Sequence, residues 1–336
     1  MFPFCLSRYI KALFGVVALC IVCVETYAVE TEPSAEKILA RLTYAMRTEN
    51  YRGVFTYEHG GSLETIDVSH AVVNNIENER YILLNGPTRT LNRDGRTASC
   101  ESLGGRMVRG AMLATGSGKA LHFNEYYHLY YKGYDRVAGR KVAVVQLLPK
   151  DNDRYGMSLG VDVESGVLLK VLVVSRSKVL ERMQFVAFDH NPEWDSEELE
   201  SFTSVEPDQP CVEVATERKS AEAGASAGVD KWMPSWVPVG FTRANSRWTE
   251  QDGLVHTYTD GLSSFSVFVN PELVPENEDV QQIPRGMAQR GATLILMDLR
   301  RAEEQVVHLS LVGEVPETAA VRILQSISTP LLTPVP

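Results

Sequence analysis

The stretch from residue 142 to 188 constrains the fold most. "VAVVQLL", "MSLGVDV", "VLLKVLVV" and "VLERMQFVAF" are runs rich in branched and aromatic residues, the composition of β-strands. Glu164-Ser165-Gly166 and Ser175 to Lys178 leave only short polar connections between three of them. Parallel neighbours need crossovers of about a dozen residues or more, so these runs are predicted to pair antiparallel, as a meander.

The same style holds upstream. In "YRGVFTYEHGGSLETIDVSH", Phe55 and Tyr57 share one face of a strand, Gly60-Gly61 makes a turn, and a second strand runs through Ile66 and Val68. "ERYILLNGP" and "TLNRDGRT" continue it, with Asn85-Gly86-Pro87 and Asp94-Gly95 as turns. Ahead of them a helix is signalled. Ser34 is its N-cap, and Ile38, Leu39, Leu42, Ala45 and Met46 form one apolar stripe. A helix beside a long antiparallel meander predicts a curved open sheet or partial barrel with the helix across its mouth, able to hold an apolar ligand. Phe55, Tyr57, Ile66, Val145, Leu169, Val171, Met183 and Phe185 are the candidate lining of such a lipid pocket.

Past this region the composition shifts. Residues 206–228 hold hardly any large apolar side chain and end in an Ala/Gly/Ser tract, as a flexible linker does. A second unit follows over 229–330. Its strands are "HTYTDG", "SSFSVFVN", "ATLILMDLR" and "QVVHLSLVG", with a last helix from Pro316 to Ile327. The expected class is therefore α+β: a large antiparallel half-barrel unit over 29–205 and a smaller α+β unit behind the linker. "KWMPSWVPVGF", Lys231 to Phe241, opens the second unit. Pro234 and Pro238 bias their neighbours to extended backbone, which predicts a stiff opening strand with Trp232, Trp236 and Phe241 plugging the edge of the small core. Large aromatics also dominate protein interfaces. Trp232, Trp236, Phe241, Tyr258, Phe265 and Phe268 are thus candidate partner contacts as well as candidate core.

The first 28 residues read as an export signal. Arg8 and Lys11 precede an apolar run from Ala12 to Val24, and Thr26-Tyr27-Ala28 offers small residues for cleavage after Ala28; an uncleaved anchor is the competing reading. Cleavage leaves only Cys100 and Cys211, as two thiols or one bridge. With 43 acidic against 33 basic residues and a net charge of -10, the chain lacks a nucleic-acid footprint.

Catalytic motifs fail on inspection. "ATGSGKA" has Leu113 and Ala120 where a phosphate loop needs Gly and Ser or Thr, so it reads as a glycine-rich surface loop. Ser175-Arg176-Ser177-Lys178 has the S-x-x-K spacing but lies between strands, as a hairpin turn would. No histidine pair has metal-binding spacing, and His59-Gly60-Gly61 reads as a turn. "EWDSEELE" reads as a solvated face or helix start, and the tyrosines of "NEYYHLYYKGY" as strand residues before pocket lining. No catalytic, metal or cofactor site is expected, and a binder is favoured over an exported hydrolase.

The order of these strings resembles the RseB/MucB family. The opening helix with "YRGVFTYEHGGSLETIDVSH", then "LLNGPTR", "NRDGR" and "RYGMSLGVDVESGVLLKVLVVSRSKVLERMQFVAFD" carry the resemblance in the large unit. "WMPSWVPVGF" and "YTDGLSSFSVFVN" carry it in the small one. The resemblance implies a large unit like the lipoprotein carriers LolA and LolB. It implies a periplasmic negative regulator of the envelope-stress sigma factor that binds the periplasmic domain of a membrane-spanning anti-sigma factor, largely through the small unit. Such a regulator shields its partner from site-one proteolysis, lets go on meeting lipid or lipopolysaccharide, and forms a homo-oligomer. The competing reading is a periplasmic lipid or lipoprotein carrier working through the half-barrel alone.

Overall fold

The computed structural model describes residues 33–74, 76–87, 89–94, 97–98, 123–203, 232–249, 252–272, 286–302 and 305–327. The expected signal (1–28), the linker (206–228), the "ATGSGKA" loop and both Cys100 and Cys211 lie outside the described residues. Helix α1 (Ala35–Thr48) starts where the sequence places it: Ser34 Oγ accepts a 3.2 Å hydrogen bond from the Lys37 amide, and Ile38, Leu39, Leu42, Ala45 and Met46 are buried along one stripe.

Two meanders make the large sheet. The first runs β1 (Tyr51–His59), β2 (Ser62–Val73), β3 (Ile76–Leu83), β4 (Thr90–Asp94) and β5 (Thr97–Ala98). After a short helix α2 (Phe123–Tyr126), the second runs β6 (Tyr127–Val137), β7 (Arg140–Pro149), β8 (Gly156–Asp162), β9 (Leu168–Val174) and β10 (Val179–His190). Strand β10 returns to pair antiparallel with β1, setting Phe55 opposite Phe185 and Tyr57 opposite Met183. The result is one ten-stranded sheet in the order β5-β4-β3-β2-β1-β10-β9-β8-β7-β6, open because its two end strands do not pair. Helix α1 lies against β6 and β7, and its stripe joins the inward side chains of the sheet in one core. "SRSK" is the β9–β10 hairpin, where Ser175 Oγ accepts from the amides of Ser177 and Lys178. "EWDSEELE" begins helix α3 (Ser196–Thr203) with a capping box: Glu198 N donates to Asp195 Oδ1 at 2.7 Å, and Asp195 N to Glu198 Oε2 at 3.1 Å.

The small sheet comprises β11 (Thr242–Thr249), β12 (Gly253–Thr259), β13 (Ser264–Glu272), β14 (Gly286–Arg290), β15 (Thr293–Ala302) and β16 (Gln305–Gly313), ordered β11-β12-β13-β16-β15-β14. Helix α4 (Glu317–Gln325) packs Ala319, Ala320, Ile323 and Leu324 against Phe265, Val267, Leu309 and Leu311. Both edge strands escape a sequence reading. "TRANSRWT" and "GMAQR" are largely exposed, so they carry no apolar alternation.

One expectation is corrected. Over 232–241 the chain does not form a strand: it makes one isolated bridge, Pro234 to Ile327, Ser235 N donates to Ser326 O at 3.2 Å, and Phe241 N turns back to Pro238 O at 3.0 Å. Two prolines without N–H groups cannot sustain a ladder. The chain then turns at Gly240, φ +93°, before β11 begins. No helix among the described residues is long and apolar enough to cross a membrane.

Candidate functional site at the seam between the two sheets

The predicted pocket residues are all brought together. Phe55, Tyr57, Ile66, Val145, Leu169, Val171, Met183 and Phe185 are buried in the core that α1 covers, with the Phe55 and Phe185 rings 5.5 Å apart. They pack against one another, so a ligand seated there must displace side chains or α1. The predicted partner residues divide. Phe241, Tyr258 and Phe265 are interior, with Tyr258 stacked on Phe265 at 5.1 Å. Trp232 and Trp236 are half-buried at the edge of that core, and the Arg322 guanidinium sits 3.8 Å over the Trp236 ring. Phe268 alternates to the opposite face of β13 and is half-buried.

The polar chemistry collects elsewhere, where the two sheets meet. Arg154, just ahead of β8, and Asp260, at the β12–β13 turn, form a 2.7 Å ion pair whose side chains are both 0% exposed. Asp260 Oδ2 also accepts from the Tyr127 hydroxyl at 3.2 Å, while Oδ1 accepts from the amides of Leu262 and Ser263, both at 2.9 Å. That is why the local sequence is Asp-Gly-Leu-Ser: the carboxylate builds the turn, and Gly261 supplies its positive φ, +94°. Arg154 is held on its other sides by Asp151, by the Val239 carbonyl, and by the faces of Tyr126, Tyr127 and Phe241, 5.2 to 5.5 Å from the guanidinium carbon. Burial works against the charge on Arg154, but its hydrogen bond to Asp151 and the nearby carboxylates outweigh it and hold the group firmly protonated. Gly240 completes the fit, because a Cβ there would sit 2.6 Å from the Tyr126 ring.

A second contact lies across the seam. Glu181 of β10, 2% exposed, accepts from the Tyr57 hydroxyl and from the Ala292 amide, both at 2.7 Å. Gly291 is required beside it, since a Cβ would lie 2.4 Å from the carboxylate. Tyr155 donates to the Val315 carbonyl at 3.1 Å and receives the Gln289 amide at 3.3 Å. Burial, then the charges of Glu181 and Glu314, push the Tyr155 phenol up to about 12. Burial and then Glu181 drive Tyr57 far above the usual range, and burial and then Asp260 do so for Tyr127. Leu262 and Ala292, both from the small sheet's segment of the chain, are buried as part of the large sheet's core. Beside this contact opens a cleft of about 430 Å³ lined by Glu58, His59, Gly60, Lys178, Arg182 and Gln289 among others.

Arg154, Asp260 and Gly240 all lie within the strings that carry the family resemblance, but no local pattern gives them a role at the seam. The available signal was the Asp-Gly-Leu-Ser turn, whose acid is a turn builder; that the same acid also meets an arginine a hundred residues away follows from the fold alone. Among the described residues, no cluster of His, Cys, Asp and Glu is arranged to hold a metal.

Comparison with known proteins accounts for both sheets. The family model for the MucB/RseB N-terminal domain matches residues 34–203, and that for the MucB/RseB C-terminal domain matches 226–328. The sigma factor AlgU regulatory protein MucB of Pseudomonas aeruginosa is 28% identical over 298 residues, covering 86% of this chain and 89% of the relative. The sigma-E factor regulatory protein RseB of Escherichia coli K12 is 24% identical over 309 residues, covering 88% and 91%. A crystal structure of MucB in complex with MucA(peri) superposes with a TM-score of 0.68 at 27% identity, over 88% of this chain and 98% of that one.

Proposed function

Since the chain belongs to the MucB/RseB family of sigma-factor regulatory proteins, we propose that it is a periplasmic regulator which binds the periplasmic segment of a membrane-spanning anti-sigma factor and shields it from site-one proteolysis. In this reading it releases the segment when lipid or lipopolysaccharide engages the large sheet. Residues 29–205 and 229–330 act as two domains, and the work done is recognition, without turnover.

The observation that carries the reading is the seam. Arg154–Asp260 and Glu181–Ala292 fasten two sheets with separate cores into one arrangement, and Leu262 and Ala292 reach from one unit into the core of the other. A ligand can release a partner only through different affinities for two states of the protein, and a seam that is either closed or open supplies two states. The carrier reading gains no comparable support, because the predicted pocket residues fill their own core.

A protease-protection assay tests the proposal. The anti-sigma periplasmic segment is mixed with the site-one protease, with and without this protein, and then with added lipopolysaccharide. Slower cleavage that lipopolysaccharide restores is expected; cleavage indifferent to the protein refutes the shielding role, and protection indifferent to lipopolysaccharide refutes the release step.

A further inference from the structure

We propose that the face formed by α1 and the β6–β7 hairpin docks on an anionic lipid membrane surface. This stands apart from the anti-sigma reading, since it uses none of the seam.

The aromatic residues are the first observation. Tyr44 is 66% exposed on the side of α1 away from its buried stripe, and Tyr134 on β6 is 51% exposed. Helix α1 lies against β6 and β7 on the core side of the sheet, the side that Tyr134 also takes, so the two belong to one region of the surface. A bulge between Tyr131 and Tyr134 turns Tyr134 to the core side of the sheet at its end strand, where it meets Tyr131 edge-on at 5.8 Å. Tyrosine, with an apolar ring and a polar tip, is the residue type that settles at a membrane interface.

Charge is the second observation. Lys37, Arg41 and Arg47 on α1 and Lys132, Arg136 and Lys141 on the hairpin are all exposed. Carboxylates on these elements are Glu36 and Asp135, and Asp135 is engaged by Lys170 at 3.1 Å. In a chain of net charge -10 this basic face is a local reversal. The Lys141 ammonium stands 3.7 Å over the Tyr134 ring, placing a cation and an amphipathic ring together as a phospholipid headgroup region would meet them. The same pairing covers a ring face that a sugar would have to stack on, which disfavours a glycan. Several exposed cations beside aromatic side chains favour a surface of many anionic headgroups over a single small anion.

Co-sedimentation of the purified protein with vesicles tests this. Binding to phosphatidylglycerol-containing vesicles, little binding to pure phosphatidylcholine, and loss of binding in about 0.5 M salt are expected, because such contacts are screened. Lys132→Gln with Lys141→Gln should lower the partition about 25-fold, at roughly fivefold per cation removed. Tyr44→Ala with Tyr134→Ala should weaken binding independently, and both variants should melt with the wild type because the changed side chains are exposed. No sedimentation of the wild type with anionic vesicles, equal binding to both vesicle types, or variants that bind like the wild type would each overturn the proposal. So would self-association of the vesicle-free protein that these substitutions abolish, which would assign the face to a second copy of the chain.

Discussion

Removing one member of the Arg154–Asp260 pair should loosen the seam more than any exposed ion pair could. Both side chains are fully buried, so loss of Arg154 strands the Asp260 charge and loss of Asp260 leaves Arg154 only its half-buried partner Asp151, at a cost of about 3–5 kcal/mol. The structure orders the variants. Asp260→Asn keeps an oxygen for the Leu262 and Ser263 amides but can turn an amide donor toward Arg154 and Tyr127, so it isolates the charge contact. Arg154→Met leaves Asp260 with its hydroxyl and two amide donors, and should fall at the lower end of that range. Asp260→Ala loses the turn as well, and should fall at the upper end. Joint replacement by Arg154→Met and Asp260→Leu should cost far less than the sum of the two single changes, because no charge is stranded. Urea unfolding followed by tryptophan fluorescence reads the midpoint, and an m-value of about 1–3 kcal/mol/M turns a 3 kcal/mol loss into a shift of about 1–3 M. Hydrogen exchange should localise the loss to the β12–β13 turn and the start of β6. A coupling energy below about 0.5 kcal/mol in the double-mutant cycle would show that the pair does not act as a unit, and the seam argument would fail with it.

Gly240→Ala should destabilise by about 1–3 kcal/mol, combining positive φ with a clash on Tyr126, whereas Gly139→Ala, also at positive φ but facing open space, should cost about 1 kcal/mol; thermal melts of the pair separate strain from collision. The phenols of Tyr57, Tyr127 and Tyr155 are all raised, so their contribution to stability is complete below the ordinary tyrosine value of about 10 and is lost as pH climbs above it. Absorbance at tyrosinate wavelengths should show these groups ionising only as the seam opens; ionisation near pH 10 with the fold intact would contradict their burial. Phe265→Ala should cost about 3–5 kcal/mol of stability as a core deletion, while Phe268→Ala, on the opposite face of β13, should cost less stability and lower affinity for the anti-sigma segment; equal effects on both readouts would remove Phe268 from the partner surface.

Legibility in the sequence follows the range of the interaction. The α1 stripe, the Gly60-Gly61 and Ser175–Lys178 turns and the strands of the 142–188 meander are local patterns, and each appears in the structure where its residues place it. Closure of β10 on β1 joins residues more than a hundred positions apart, so periodicity could identify both strands without showing that they pair. Edge strands β11 and β14 were invisible because a strand with little buried surface needs no apolar alternation. "KWMPSWVPVGF" meets both the small core and the seam. Its tryptophans border the small core, and its Val239-Gly240-Phe241 end forms one wall around Arg154. Asp260 looked like an ordinary turn residue because locally it is one.

In the release proposed above, Leu262 is the side chain placed to carry a lipid signal to the seam. It follows Asp260 in the small sheet's turn, yet it is 3% exposed within the large sheet's core, the same core that contains the predicted lipid residues. A lipid chain entering that core competes for volume with Leu262, and lifting Leu262 strains the turn that presents Asp260 to Arg154. Leu262→Ala keeps the turn amide that binds Asp260 and removes only the plug, so it should weaken seam closure by about 2–5 kcal/mol. At the lower figure, and while the closed state still dominates, the lipid concentration that half-releases the anti-sigma segment should fall about 30-fold, because less free energy is then needed to shift the population. Titrating lipid against a preformed complex measures this directly. Release from Leu262→Ala at the wild-type lipid concentration would mean that the lipid acts without passing through the seam.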